Sequence, residues 1–400
     1  VAVLARIVRD VGVAEELAQD ALLAALEQWP KSGAPENAGA WLMAAAKNRA
    51  INHLRHERLV ADKHVELGHL LEPDGEAALE LERAAEDDIG DDLLRLVFTA
   101  CHPALSTEGR VALTLRLVCG LTTAEIARAF LVSEPTIAQR IVRAKRTLAE
   151  ARIPFEVPAG SDRAPRLASV LGVVYLVFNE GYTATAGDDL VRPELSTEAL
   201  RLGGLLTALA PTEPEVFGLL ALMELTAARA AARVDEDGEP VRLLDQDRAR
   251  WDQEAIARGL GALARAEELG GAPGSFVLQA RIAACHARAR VAADTDWAEI
   301  AALYAVLAER TRSPVVELNR AVAVAMAEGA AAGLALVDRL SHEPALENYH
   351  LLPSARAELL EKLGRLSEAA DEFRRAASLT KNERQRTRLL ARADACGQNA

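Results

Sequence analysis

Apolar positions recur at intervals of three and four along most of this 400-residue chain, the period of amphipathic helices. Residues 1–10 read as the end of a helix that Gly12 breaks. A second helix is expected over 13–29, with Leu17, Ala21, Ala25 and Gln28 in line and Leu22 and Leu26 beside them. Pro, Gly, Ser and Asn make PKSGAPENAG, 30–39, a loop. A helix follows over 40–58, then a mixed helix and linker stretch over 59–92 containing Pro73, Gly75 and Gly90. Two more helices are expected over 91–101 and 107–119. The stretch 121–148 reads as two short helices joined by a tight turn. The segment IPFEVPAG, 153–160, has two prolines and a glycine and reads as a boundary. Beyond it roughly ten helical patterns follow, broken near Gly187, Pro211, Gly238, Gly271, Pro314, Gly329, Pro344 and Gly364.

Composition supports an all-α protein, with few aromatics and abundant Ala, Leu, Arg and Glu. No apolar run reaches the roughly 18 residues that span a bilayer, so a cytoplasmic protein is expected. Cys101, Cys119, Cys285 and Cys396 lie far apart, which suits neither a zinc site nor a disulfide framework. The net charge of −13 argues against a polyanionic partner until its distribution is considered. Residues 59–92 hold 12 acidic and 2 basic residues, so the rest of the first 152 residues is net basic. Nucleic-acid binding depends on such local faces rather than on the global sign.

The basic face is sharpest in LTTAEIARAFLVSEPTIAQRIVRAKRTL, 121–148. Ile126, Ala127, Ile137, Ile141, Ala144 and Leu148 are spaced to bury one face of each helix. Ser133 is placed as N-cap and Pro135 is tolerable in the first turn. This is the pattern of a helix-turn-helix, whose second helix enters a DNA major groove. Arg140, Arg143, Lys145 and Arg146 are available for phosphates, and Ser133, Glu134, Thr136 and Gln139 lie near the end that meets base edges. The turn carries Leu131 where many such motifs carry Gly. A plain amphipathic helix pair with a solvated basic face would share the charge but not the whole pattern.

A second basic element is AWLMAAAKNRAINHLRHER, 40–58. Trp41, Lys47, Asn48, Asn52, Arg55 and Arg58 are the candidates on it. A loop, an aromatic and a basic helix suit melted DNA, whose extruded bases need a pocket and whose backbone needs cations. Taken alone, the stretch suits a plain helical bundle with a basic face better. His53, His56, His64 and His69 read as solvated rather than as metal ligands.

In the last third, AELLEKLGRLSEAADEFRRAASL, 357–379, resembles a tetratricopeptide helix pair. Leu363 and Gly364 close its first helix, and Ala369, Phe373 and Ala376 line its second. The cluster Asn179, Glu180, Gly181 and Tyr182 reads either as a helix end or as a docking contact of the tail. Residues 245–252 read as a capped helix start. No nucleophile–base pair, metal spacing or glycine-rich phosphate loop suggests an enzyme.

The order of these elements resembles an extracytoplasmic-function sigma factor of the sigma-70 family. AEELAQDALLAALEQW with AWLMAAAKNRAINHLRHER resembles sigma region two, and 93–150, ending RIVRAKRTL, resembles region four. IPFEVP, VLGVVYLVFNEGYTAT, the DRARWD segment and the closing repeats resemble the helical extension of one group of these factors. The resemblance implies region two over 1–58, an acidic linker over 59–92, region four over 93–152, a linker over 153–160 and the extension over 161–400. It implies a longer first helix than 1–10 supplies. It also implies roles. Glu16, Gln19 and Asp20 would dock on the β′ clamp helices of core RNA polymerase. The 30–39 loop and the 40–58 helix would open the −10 element, and the 133–147 helix would read the −35 element. The acidic linker would thread a channel meant for nucleic acid, and the extension would tune activity. No cofactor, metal or membrane is implied. The rival readings are a helix-turn-helix activator with a repeat sensor domain and a helical-repeat scaffold.

Overall fold

The computed structural model describes residues 1–65, 89–130, 132–182, 193–233, 235, 241–380 and 383–398. Among them the chain is all α-helical and divides into two compact units, Val1–Leu209 and Ala210–Ala400. Leu131, Gly187, Gly238 and most of the acidic linker lie outside the described residues.

The first unit opens with α1, Ala2–Val8, and α2, Val11–Ser32. The break between them falls at Arg9, not at Gly12. Arg9 closes α1 in the left-handed conformation (φ 55°), and the Asp10 side chain accepts from Val13 N–H to cap α2. Gly12 therefore lies inside α2. Helix α2 also runs past Pro30 and ends at Gly33, whose φ of 83° suits a residue without Cβ. The loop is thus shorter than composition suggests, because α3 starts early, at Ala38–Val65. Asn37 Oδ1 accepts from Ala40 N–H at that start.

Helices α4, Ile89–Ala100, and α5, Thr107–Leu117, precede the helix-turn-helix pair α6, Thr123–Ala129, and α7, Glu134–Glu150. Thr122 and Glu125 form a reciprocal capping box at the head of α6. Ile126, Ala127, Ile137, Ile141, Ala144 and Leu148 are all buried, so the expected apolar faces do meet. Ser133 sits at the N-cap of α7, but its hydroxyl pairs with Thr136 Oγ1 at 2.8 Å rather than with a backbone N–H.

Helices α8, Arg163–Tyr182, and α9, Pro193–Leu209, complete this unit. Composition marks 153–160 as a boundary, while packing groups both helices with what precedes them. Ser169 Oγ accepts from Arg110 Nη1 and donates to the Cys101 carbonyl, each at 2.7 Å. Arg166 donates to the Phe98 carbonyl at 3.0 Å. Helix α8 continues through Asn179 to Tyr182, whose ring stacks on Phe178.

The second unit is a succession of helices packed mainly on their neighbours in sequence. They are α10 (Pro214–Ala227), α11 (Gln253–Glu268), α12 (Ser275–Arg288), α13 (Trp297–Thr311), α14 (Pro314–Glu328), α15 (Ala330–Leu340), α16 (Leu351–Lys362), α17 (Leu366–Leu379) and α18 (Glu383–Gln398). Helices α16 and α17 form the expected pair, turned at Gly364 (φ 75°), with Ala369, Phe373 and Ala376 fully buried. Gly333 lets α15 approach α14, since a Cβ there would lie 2.8 Å from the Ala321 carbonyl oxygen. The DRARWD segment is a corner. Asp252 caps α11, and the buried Arg248 donates to the His286 and Ala289 carbonyls at the end of α12 and to Thr295 Oγ1.

Candidate nucleic-acid interface

On α7 the packing constraint decides which side chains are left for a ligand. Burying Ile137, Ile141, Ala144 and Leu148 turns Gln139, Arg143 and Arg146 outward on one stripe, all exposed, with Thr136 half-buried at its head. Ser133 and Glu134 are exposed at the N-terminus of the helix. Arg140 is half-buried and sits at the edge of the stripe. It shares a pocket of about 170 Å³ with Ile126, Phe130, Ile137 and, from α8, Leu176 and Glu180. Glu180, from the 179–182 cluster, thus lines a pocket shared with the helix-turn-helix.

Two features of α7 were not legible in its sequence. Val142 is 63% exposed beside Gln139 and Arg143, an apolar contact in a polar stripe and of the kind that meets a thymine methyl. Lys145 is turned away from the stripe. Its Nζ lies 2.5 Å from Glu15 Oε2 on α2. Arg116 of α5 donates to the other oxygen of the same carboxylate at 2.7 Å. Burial raises the Glu15 pKa, but the contacts and charges of Lys145 and Arg116 outweigh it and hold the carboxyl below its ordinary value.

On α3, Trp41, Asn48, Asn52 and Arg55 fall on one face at helical spacing. The two asparagines and Arg55 are exposed. Trp41 is half-buried because it packs edge-on against Trp29 of α2, with ring centroids 5.6 Å apart across the short loop. Lys47 lies off this stripe, half-buried, and has its own partner. The side chain of Arg58 lies outside the described residues.

On α2, burial of Val11, Ala14, Leu17, Ala21, Ala24 and Ala25 leaves Glu16, Gln19 and Asp20 exposed together. The same outer side carries Leu22, Leu23 and Leu26, exposed by 51, 57 and 71%. Leu22 and Leu26 are therefore not core residues of α2. An acidic stripe that runs into exposed leucines has the character of a protein-binding face rather than a DNA-binding one. The structure brings α2 and α7 together through Glu15 and Lys145, and leaves the open stripes of α3 and α7 uncovered within the described residues.

Comparison with known families matches residues 1–60 to sigma-70 region 2 and residues 95–148 to sigma-70, region 4. Residues 166–267 match a family of unknown function, DUF6596. An uncharacterized protein of Rhizobium meliloti (strain 1021) is 44% identical over 381 residues, 95% of this chain and 89% of the relative. The probable RNA polymerase sigma-C factor of Mycobacterium bovis is 30% identical over 141 residues, 35% of this chain and 70% of the relative. The ECF RNA polymerase sigma factor SigK of Mycobacterium bovis (strain BCG / Pasteur 1173P2) is 30% identical over 148 residues, 36% of this chain and 74% of the relative. No solved structure matches the chain significantly.

Proposed function

The chain belongs to the extracytoplasmic-function subfamily of the sigma-70 family, and from that premise we propose that it binds core RNA polymerase and directs it to promoters by two separate grips. The observation that carries the reading is the pair of outward stripes, each on a helix of a different sigma region. On α7, Gln139, Val142, Arg143 and Arg146 form a mixed base-reading and phosphate-binding edge for a −35 major groove, with Ser133, Glu134, Thr136 and Arg140 at its head and flank. On α3, Asn48, Asn52 and Arg55 beside Trp41 suit unpaired −10 bases, which stack on aromatics and bond through exposed edges. Lys47 and Arg58 belong to the same basic helix.

The face of α2 formed by Glu16, Gln19, Asp20 and the exposed leucines is the polymerase contact, on the β′ clamp helices. Apolar side chains there supply burial, and the acidic ones set orientation. Binding energy spent on melted DNA is what this protein contributes, and the polymerase performs the chemistry. The helical extension modulates output, supported by the packing of α8 against the helix-turn-helix domain through Ser169, Arg166 and Leu176.

Run-off transcription with purified core polymerase tests this directly. Addition of the full chain is expected to start transcripts from promoters selected by the complex. DNA binding that never yields core-dependent transcripts would favour an activator.

A further inference from the structure

A cleft of about 870 Å³ opens in the first unit at the junction of α1 and α2, α4 and the C-terminal end of α7. Its volume lies in the range of small-molecule sites, whereas the pocket of about 170 Å³ beside Arg140 falls below it. Arg6, Arg9, Arg95, Lys145 and Arg152 line the cleft, against Asp10 and Glu156. Three of these cations already hold carboxylates. Arg6 and Arg95 share the buried Asp92, and Lys145 holds Glu15. Asp10 is engaged as well, accepting from Val13 N–H at the head of α2. Arg9 and Arg152 are exposed and have no ion pair among the described residues.

Those two arginines stand at matching places. Arg9 ends α1 with φ 55°, and Arg152 follows the end of α7 with φ 47°. A cation at a helix C-terminus complements the helix dipole, which would account for each arginine by itself. Arg312 at the end of α13 has the same conformation, φ 49°, and the same helix-end role, but does not line this cleft. What sets Arg9 and Arg152 apart is the cavity they share with three further cations. Ile153, Pro154 and Phe155 add an apolar lining with a half-buried aromatic ring. Fixed cations joined to an aromatic ring in a recess of this size match a small molecule that carries several phosphates and a planar base. A DNA duplex instead presents its phosphates on a convex surface, which suits an open stripe such as that of α7.

We propose that this cleft binds a nucleoside polyphosphate, its phosphates held by Arg9 and Arg152 and its base laid against Phe155. The guanidinium groups offer forked donors that match phosphate oxygens. Arg6, Arg95 and Lys145 add to the positive field of the recess without leaving their carboxylates. Arg9, Arg152 and Phe155 lie outside both outward stripes, so the site is separate from the two grips on DNA.

Titration calorimetry of the full chain with ATP, GTP, inorganic tripolyphosphate and adenosine tests it, without polymerase. ATP or GTP is expected to bind, and adenosine, which lacks the phosphates, about tenfold or more weakly. Arg9→Gln with Arg152→Gln should weaken nucleotide binding about tenfold or more, while Arg312→Gln leaves it unchanged. Both arginines of the cleft are exposed, so thermal unfolding of the double variant should match that of wild type. Phe155→Leu is the independent variant. It should weaken the nucleotide about tenfold and leave tripolyphosphate unchanged. No binding of either nucleotide, or equal affinity of the double variant and wild type, would overturn the site. Tripolyphosphate binding as tightly as the nucleotides, with no effect of Phe155→Leu, would overturn the nucleoside assignment. A double variant that loses duplex DNA binding in the same proportion would give both arginines to DNA, and the proposal would fall.

Discussion

The two helices proposed to meet DNA, α3 and α7, are built from similar residues but held in different ways. Helix α3 presents Asn48, Asn52 and Arg55 without any described ion pair; it packs on α1 and α2 through the buried Ala46 and Ala50, with Trp41 edge-on to Trp29. Helix α7 is fixed on several sides. Lys145 is taken by Glu15, Arg140 shares a pocket with α8, and α5 beneath it is tied to α8 by Arg110 and Ser169. A cation count treats the two alike. Their environments do not, because a guanidinium or ammonium already paired with a buried carboxylate is not available to a phosphate until that pair breaks.

Truncation should separate the two helices most. A chain ending at residue 160 removes the Ser169 partner of Arg110, the Arg166 contact to Phe98 and the apolar cover of α8 and α9. At about 1.5–3 kcal/mol per large buried side chain, region four should lose several kcal/mol. A chain ending at Leu209 keeps the first unit whole. Hydrogen exchange should show α7 unprotected and α3 little changed in the shorter chain, and both protected in the longer one. Equal protection of α7 in both would show that α8 and α9 are passengers.

Next come the grips themselves. Arg140→Ala with Arg143→Ala should weaken duplex binding and reduce the salt slope by about two, near 0.9 per lost phosphate contact. Asn48→Ala with Asn52→Ala should leave the duplex slope alone and slow open-complex formation, measured by permanganate reactivity of melted thymines. Similar effects of both pairs on duplex binding would erase the distinction between the helices.

The smallest effect is on pH. Glu15 has its pKa lowered in the folded protein: burial raises it, and Lys145 and Arg116 more than compensate. A depressed carboxyl stabilises above its ordinary pKa of 4.5 and loses that contribution as pH falls through the lowered value. The contact between α2 and α7 should therefore persist at pH 5 and loosen only below the ordinary carboxylate range. Small-angle scattering against pH, with Glu15→Gln as the flat reference, measures this.

Much of the architecture was readable because it rests on local spacing. Ile137, Ile141 and Leu148 fall on one buried face of α7 by period alone, and Ala369, Phe373 and Ala376 do the same in the tail. What could not be read depends on partners distant in sequence. Nothing near Lys145 announces a carboxylate at Glu15, and nothing near Arg110 announces Ser169. Leu22 and Leu26 have the period of core residues, yet α2 buries its alanines and turns these leucines out, along with Leu23. Spacing points to Gly12 for the first helix break because glycine is the commoner signal, yet Arg9 ends α1 and Asp10 does the capping.

In the proposed function one chain grips two promoter elements at once, on polymerase. The most direct measurement is run-off transcription from a selected promoter whose spacer is lengthened by five base pairs, about half a helical turn. Core-dependent transcripts are expected from the original spacer and should be lost from the lengthened one. Equal output from both spacers, or output that does not need core and this chain together, would contradict it.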